Sequence, residues 1–146
     1  LLDTTHPVLG LIHYVDSPVG SYNELAGFTV TGAGPKVVRM WVDSTLSRRG
    51  GRRGWGFPKL LAHLQWQDAT GRIEYRARHQ VWRVRAVGPC ITVQLKAWSV
   101  QRLRGEDVRV PVCIVGNARL GFRGKQLALL LEDFTLDVLP PVQVSC

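Results

Sequence analysis

Apolar and polar residues alternate along much of this chain with a period of two. Ile91-Thr92-Val93-Gln94-Leu95-Lys96-Ala97 sets Ile91, Val93, Leu95 and Ala97 on one face, the mark of a half-buried strand. Residues 73–78 and 81–85 repeat the pattern with arginine on the outer positions, and 36–43 mixes both kinds on a β-branched background. Further strands are predicted over 9–15, 28–31, 107–115, 127–131 and 134–139. Turn residues separate these runs at Ser17-Pro18-Val19-Gly20, Gly32-Ala33-Gly34-Pro35, Ala69-Thr70-Gly71, Gly88-Pro89, Gly116-Asn117 and Pro140-Pro141. Short strands at this spacing predict a mainly β fold, an antiparallel barrel or sandwich with one or two short helices. Pro58-Lys59-Leu60-Leu61-Ala62-His63-Leu64 has two readings, a short helix with proline at its first position or the entry to a strand. Arg48-Arg49-Gly50-Gly51-Arg52-Arg53-Gly54 reads as a basic, glycine-rich loop.

The length of 146 residues suits one domain, expected to span 1–146. Lysine and arginine number 19 against 11 acidic residues, a net charge of +8 that attracts anions without choosing among nucleic acid, lipid and carboxylate substrates. No apolar run approaches the ~20 residues of a membrane-spanning helix, so no membrane partner is expected. Cys90, Cys113 and Cys146 are odd in number and lack a C-x-x-C spacing. With no visible secretory signal, we expect free thiols in a reducing cytoplasm. His6, His13, His63 and His79 show no metal-ligand spacing, so no metal is expected.

One lysine stands in apolar company: Lys59 is flanked by Trp55, Phe57, Pro58, Leu60 and Leu61. A free lysine has a pKa of about 10.4, leaving fewer than ~0.1% of such amines neutral at pH 7. Burial or a neighbouring cation lowers that value, and the neutral amine then attacks a carbonyl to form a Schiff base. The alternative is a side chain whose stem lies on the aromatics while its ammonium stays in water.

Two segments together resemble the acetoacetate decarboxylase family. Ser17-Pro18-Val19-Gly20-Ser21-Tyr22-Asn23-Glu24-Leu25 is similar to the family's S-P-x-G-P-Y-x-E element. Gly51-Arg52-Arg53-Gly54-Trp55-Gly56-Phe57-Pro58-Lys59-Leu60-Leu61-Ala62 is similar to its G-R-E-x-x-G-x-P-K-K-x-A element, and a strand ending in Trp41-Val42-Asp43 lies between them. The resemblance implies a β-barrel-like fold, a homo-oligomer and a decarboxylase acting on a small oxo acid. It places the Schiff-base nucleophile at Lys59 and an acid–base or orienting carboxylate at Glu24. Arg52 becomes the contact for the substrate's carboxylate, with Trp55, Phe57 and Tyr22 beside the substrate. No cofactor is implied, because the imine itself is the electron sink. Leu60 stands where the family has a second lysine, Arg53 where it has an acid and Ser21 where proline is usual. The family's longer N-terminal portion has no counterpart before Leu1, so a truncated or compact member is expected.

Three other readings remain open. Aldolase- or dehydratase-type relatives use the same imine, and a ligand-binding relative keeps the fold without the reaction. The third is a nucleic-acid module built on Arg76, Arg78, Arg83 and Arg85 beside Tyr75 and Trp82. Against it, alternation puts Trp82 with Val84 opposite Arg83 and Arg85, and no recognised nucleic-acid motif is present. Hydrolase and phosphate-binding motifs are also absent.

Overall fold

The computed structural model describes residues 8–65, 67–69, 72–77 and 80–143. His6, Thr70, Gly71, Arg78, His79 and Cys146 lie outside them, as do the side chains of Tyr75, Arg76, Trp82 and Leu95. The described chain runs through β1 (Val8–Asp16), β2 (Tyr22–Thr31), β3 (Gly34–Val42), α1 (Thr45–Trp55), β4 (Lys59–Leu61), β5 (Gln67–Ala69), β6 (Arg72–Ala77), β7 (Gln80–Leu103), β8 (Glu106–Arg123), β9 (Gln126–Val138) and β10 (Val142–Gln143). The strands join in the order β4-β3-β2-β1-β9-β8-β7-β6-β5, with β10 on β8. Neighbours are antiparallel except β1 beside β9 and β3 beside β4. The sheet is strongly curled into a half-barrel, the mainly β, barrel-like fold that the alternation predicts.

Several predicted turns are bends within longer strands. The runs 81–85 and 91–97 belong to one strand, β7, whose register with β8 shifts between Val87 and Ile91, so Gly88-Pro89 forms a bulge. β8 passes through Gly116-Asn117 without turning. The run 127–131 and all but the last residue of 134–139 belong to β9, with the register against β8 shifting between Val115 and Asn117 and Asp133 at a φ of 51°. A bulge bends its strand and increases the local twist, which a sheet needs in order to curl. Residues that end short strands elsewhere therefore mark where these long ones bend.

The expected loop at 48–54 is helical, and the segment after Pro58 is the strand β4 rather than a helix. Glycine costs about 1 kcal/mol in a helix interior, and α1 contains Gly50, Gly51 and Gly54. Its ends compensate. Ser44 Oγ accepts the Ser47 N–H at 3.1 Å as the N-cap. At the other end Gly56 is left-handed at a φ of 71°, and the Phe57 N–H closes on the Gly51 carbonyl at 3.0 Å. Arg52 and Arg53 lie in the last turn, where the helix dipole favours cations. Asp43 holds the approach to this helix by accepting the Asn23 backbone N–H and side-chain amide, each at 2.8 Å.

Both faces of the central strands are buried. On the convex face Leu9, Leu11, Leu25, Val84 and Leu130 pack together, covered by Ala62 and Leu64 from the segment after β4. On the concave face Ile12, Tyr14, Tyr22, Met40, Val110 and Phe134 belong to a second cluster. Fully burying a side chain of the Leu or Phe class stabilises by roughly 1.5–3 kcal/mol, so β1, feeding both clusters, anchors the sheet. The curl brings β3 to β7, where Ser99 Oγ donates to the Pro35 carbonyl at 3.3 Å.

The caps of α1 make a testable pair. Gly56→Ala would force a left-handed alanine, costing about 1–2 kcal/mol, and would press its Cβ onto the Arg102 carbonyl. Ser44→Ala should cost about 1 kcal/mol. Urea unfolding should show both losses, with Gly56→Ala the larger.

Candidate active site

Four elements converge beneath the Ser17–Gly20 turn. Tyr22 and Glu24 are two apart on β2 and so share its concave face. The β1–β2 register sets Tyr14 opposite Tyr22, and their rings stack with centroids 4.5 Å apart. On β4, Lys59 pairs with Met40 and is buried, while Leu60 is 45% exposed and does not line the cavity. Ser47 comes from the first turn of α1 and is also buried. Gly51 is what lets that helix lie against the lysine. A Cβ there would stand 2.7 Å from Lys59 Cδ and Cε.

Lys59 Nζ lies 3.0 Å from Glu24 Oε2 and donates to Ser47 Oγ at 2.8 Å and to the Tyr22 hydroxyl at 3.5 Å. Glu24 also accepts from the Tyr14 hydroxyl at 3.2 Å and the Tyr22 hydroxyl at 3.5 Å. Nζ sits 5.3 Å from the Tyr22 ring centroid and 5.8 Å from that of Phe57. Burial first, and then the Glu24 charge, push both phenols well above their ordinary pKa of 10.0, so they remain protonated donors.

This cluster forms one wall of a cavity of about 330 Å³ on the concave face. Apolar side chains make up most of the rest, among them Ile114, Leu129, Leu131 and Phe134. Glu24 and Lys59 are the only charged side chains among the described residues that line it. Trp55 and Phe57 also line it, and Trp55 Nε1 is tied to the Leu139 carbonyl at 2.9 Å. Of the residues singled out from the sequence, Lys59, Glu24, Tyr22, Trp55 and Phe57 come together at the cavity. Arg52 does not: it is exposed on α1 and absent from the lining.

Tyr14 and Ser47 escaped the reading of the sequence. A hairpin folded about Ser17–Gly20 pairs position 14 with 22, so the register carried a signal for Tyr14. Ser47 could be placed only once 45–55 was known to be helical. Among the described residues no group of three or more His, Cys, Asp or Glu is arranged to hold a metal, and no helix is long and apolar enough to cross a membrane. Comparison of the chain with family models, curated proteins and solved structures returns no match.

Two predictions follow from the buried cluster. Removing one partner of a buried ion pair costs about 3–5 kcal/mol because the other charge is stranded. Lys59→Met should therefore destabilise strongly, and Lys59→Met with Glu24→Gln should recover much of the loss in urea titrations. The second concerns alkaline pH. Unfolded phenols ionise near 10 and the folded ones higher, so over that window the folded state retains protons that the unfolded state releases. The stability they contribute is full below pH 10 and is lost as pH rises beyond it, by up to about tenfold in the folding equilibrium per pH unit for each tyrosine. Tyr14→Phe should flatten that alkaline slope.

Proposed function

We propose that the cavity is a Schiff-base site in which Lys59 condenses with an oxo acid and promotes its decarboxylation. The observation that carries this reading is the contact of a buried lysine with a carboxylate on the wall of an apolar cavity. The same two residues are those to which the family resemblance assigns the chemistry.

Glu24 is close enough to take a proton from the ammonium, freeing the nitrogen lone pair. Nζ then adds to the substrate carbonyl carbon, and the C–O π electrons become a hydroxyl on protonation. Loss of water from this carbinolamine, driven by the nitrogen lone pair, leaves a protonated imine. In a 3-oxo acid the bond to the carboxylate breaks next. Its electron pair moves into the iminium to give an enamine, and carbon dioxide departs. Protonation of the enamine carbon and hydrolysis return the amine and release the shortened ketone. Ser47, accepting from Nζ, orients the nitrogen, while the two phenols hold Glu24 in place through hydrogen bonds. The apolar walls disfavour a carboxylate relative to neutral carbon dioxide.

A second reading shares the imine and ends in aldol- or dehydration-type chemistry. It is favoured by Arg52 lying outside the cavity, which leaves no described cation besides Lys59 to hold a free carboxylate.

Borohydride reduction in the presence of oxo acids, followed by peptide mass mapping, tests the proposal. The expected result is a stable adduct on Lys59 that Lys59→Arg abolishes, with Glu24→Gln slowing its formation by about 10²–10⁴-fold. An adduct on other lysines only, or none, would overturn the proposal. Carbon dioxide release separates decarboxylation from the second reading.

A further inference from the structure

The cavity is larger and more apolar than a four-carbon oxo acid requires. At about 30 Å³ for each water-sized group, 330 Å³ accommodates on the order of ten non-hydrogen atoms. It also extends along β2. Glu24 and Phe28 both line it and stand four residues apart on one strand, a span of about 13 Å at 3.3 Å per residue.

The charged side chains that line it are confined to the lysine cluster. Outside the lysine cluster, the lining side chains that carry hydroxyls are Ser17 and Ser99, and both are already engaged. Ser17 Oγ donates to the Gly20 carbonyl at 2.6 Å. Ser99 Oγ donates to the Pro35 carbonyl at 3.3 Å and accepts from the Gln101 amide at 2.7 Å. A polar substituent reaching the stretch lined by Ile114, Leu129, Leu131 and Phe134 would lose water and find no side-chain partner there, whereas a hydrocarbon chain has no hydrogen bonds to lose.

We propose that the substrate is a carbonyl compound bearing an alkyl tail of about six to eight carbons, a size set by the room left beyond a carbonyl head at Lys59. The tail runs along Ile114, Leu129, Leu131 and Phe134, which line the cavity. This inference rests on the Schiff-base reading and specifies its substrate class. The shared chemistry is an accessible ketone at the end of an alkyl chain, borne either by a 3-oxo acid or by a methyl ketone.

The test is borohydride trapping of the full chain with both series, from four carbons to about twelve. Each buried methylene contributes about 0.8 kcal/mol, so the half-saturating concentration should fall about fourfold per carbon, levelling off near ten carbons in all. A fall along either series supports the inference, and the series that shows it reveals whether the carboxylate enters with the tail. Leu131→Trp, which fills the cavity, should shift the optimum to shorter chains. Trapping of four-carbon compounds as tightly as ten-carbon ones would overturn the tail and leave the imine standing. No adduct at any length would overturn the imine reading and the tail together.

Discussion

Removing an ammonium from water is affordable to a small protein only if a compensating charge goes with it, and the concave side of this sheet is organised around the 3.0 Å contact that supplies one. Lys59 enters from a three-residue strand and Glu24 from near the start of a longer one, and both are buried. The remaining hydrogen-bonding capacity of the pair is taken up by two phenols and a serine rather than by solvent. A helix with three glycines, poor by propensity, covers the lysine because one of those glycines leaves room for its stem. The requirements of the pair thus account for an otherwise unpromising helix.

The cavity exists because the sheet curls, and the curl is carried by long strands with local irregularities. β7, β8 and β9 would lie flatter without the register shifts at 87–91 in β7 and opposite 115–117 in β9. The closing contacts include hydrogen bonds, such as Ser99 to the Pro35 carbonyl and Trp55 to the Leu139 carbonyl. The concave face between them keeps its apolar side chains for the cavity.

The positive charge of the chain is largely external to this site. Arg48, Arg49, Arg52 and Arg53 are exposed on α1, Arg39 and Arg109 lie over the rings of Trp41 and Trp98, and Arg119 pairs with Glu132. Among the described residues, these cations face the surface that a partner would meet. Inside the cavity, one cation faces one carboxylate among the described residues.

The period of two was enough to establish the fold class and most strand positions, because side-chain alternation is a local property of extended backbone. Lys59 stood out separately, by apolar neighbours contiguous in sequence, and Glu24 only through the family resemblance. What it could not reveal was decided by contacts between distant residues. Gly88-Pro89 and Gly116-Asn117 carry the composition of turns, and only pairing with neighbouring strands makes the first a bulge and keeps the second within β8, regular against β7 while the register against β9 shifts there. Residues 48–54 have the composition of a loop and are helical because Ser44, Gly56 and the lysine beneath them hold that form. Arg52 sits in the motif yet faces outward, since the helical turn, not proximity in sequence, sets its direction. Tyr14 and Ser47 reach the amine cluster through the register of a hairpin and the start of a helix; the first left a trace in the spacing about Ser17–Gly20, the second none before the helix was known.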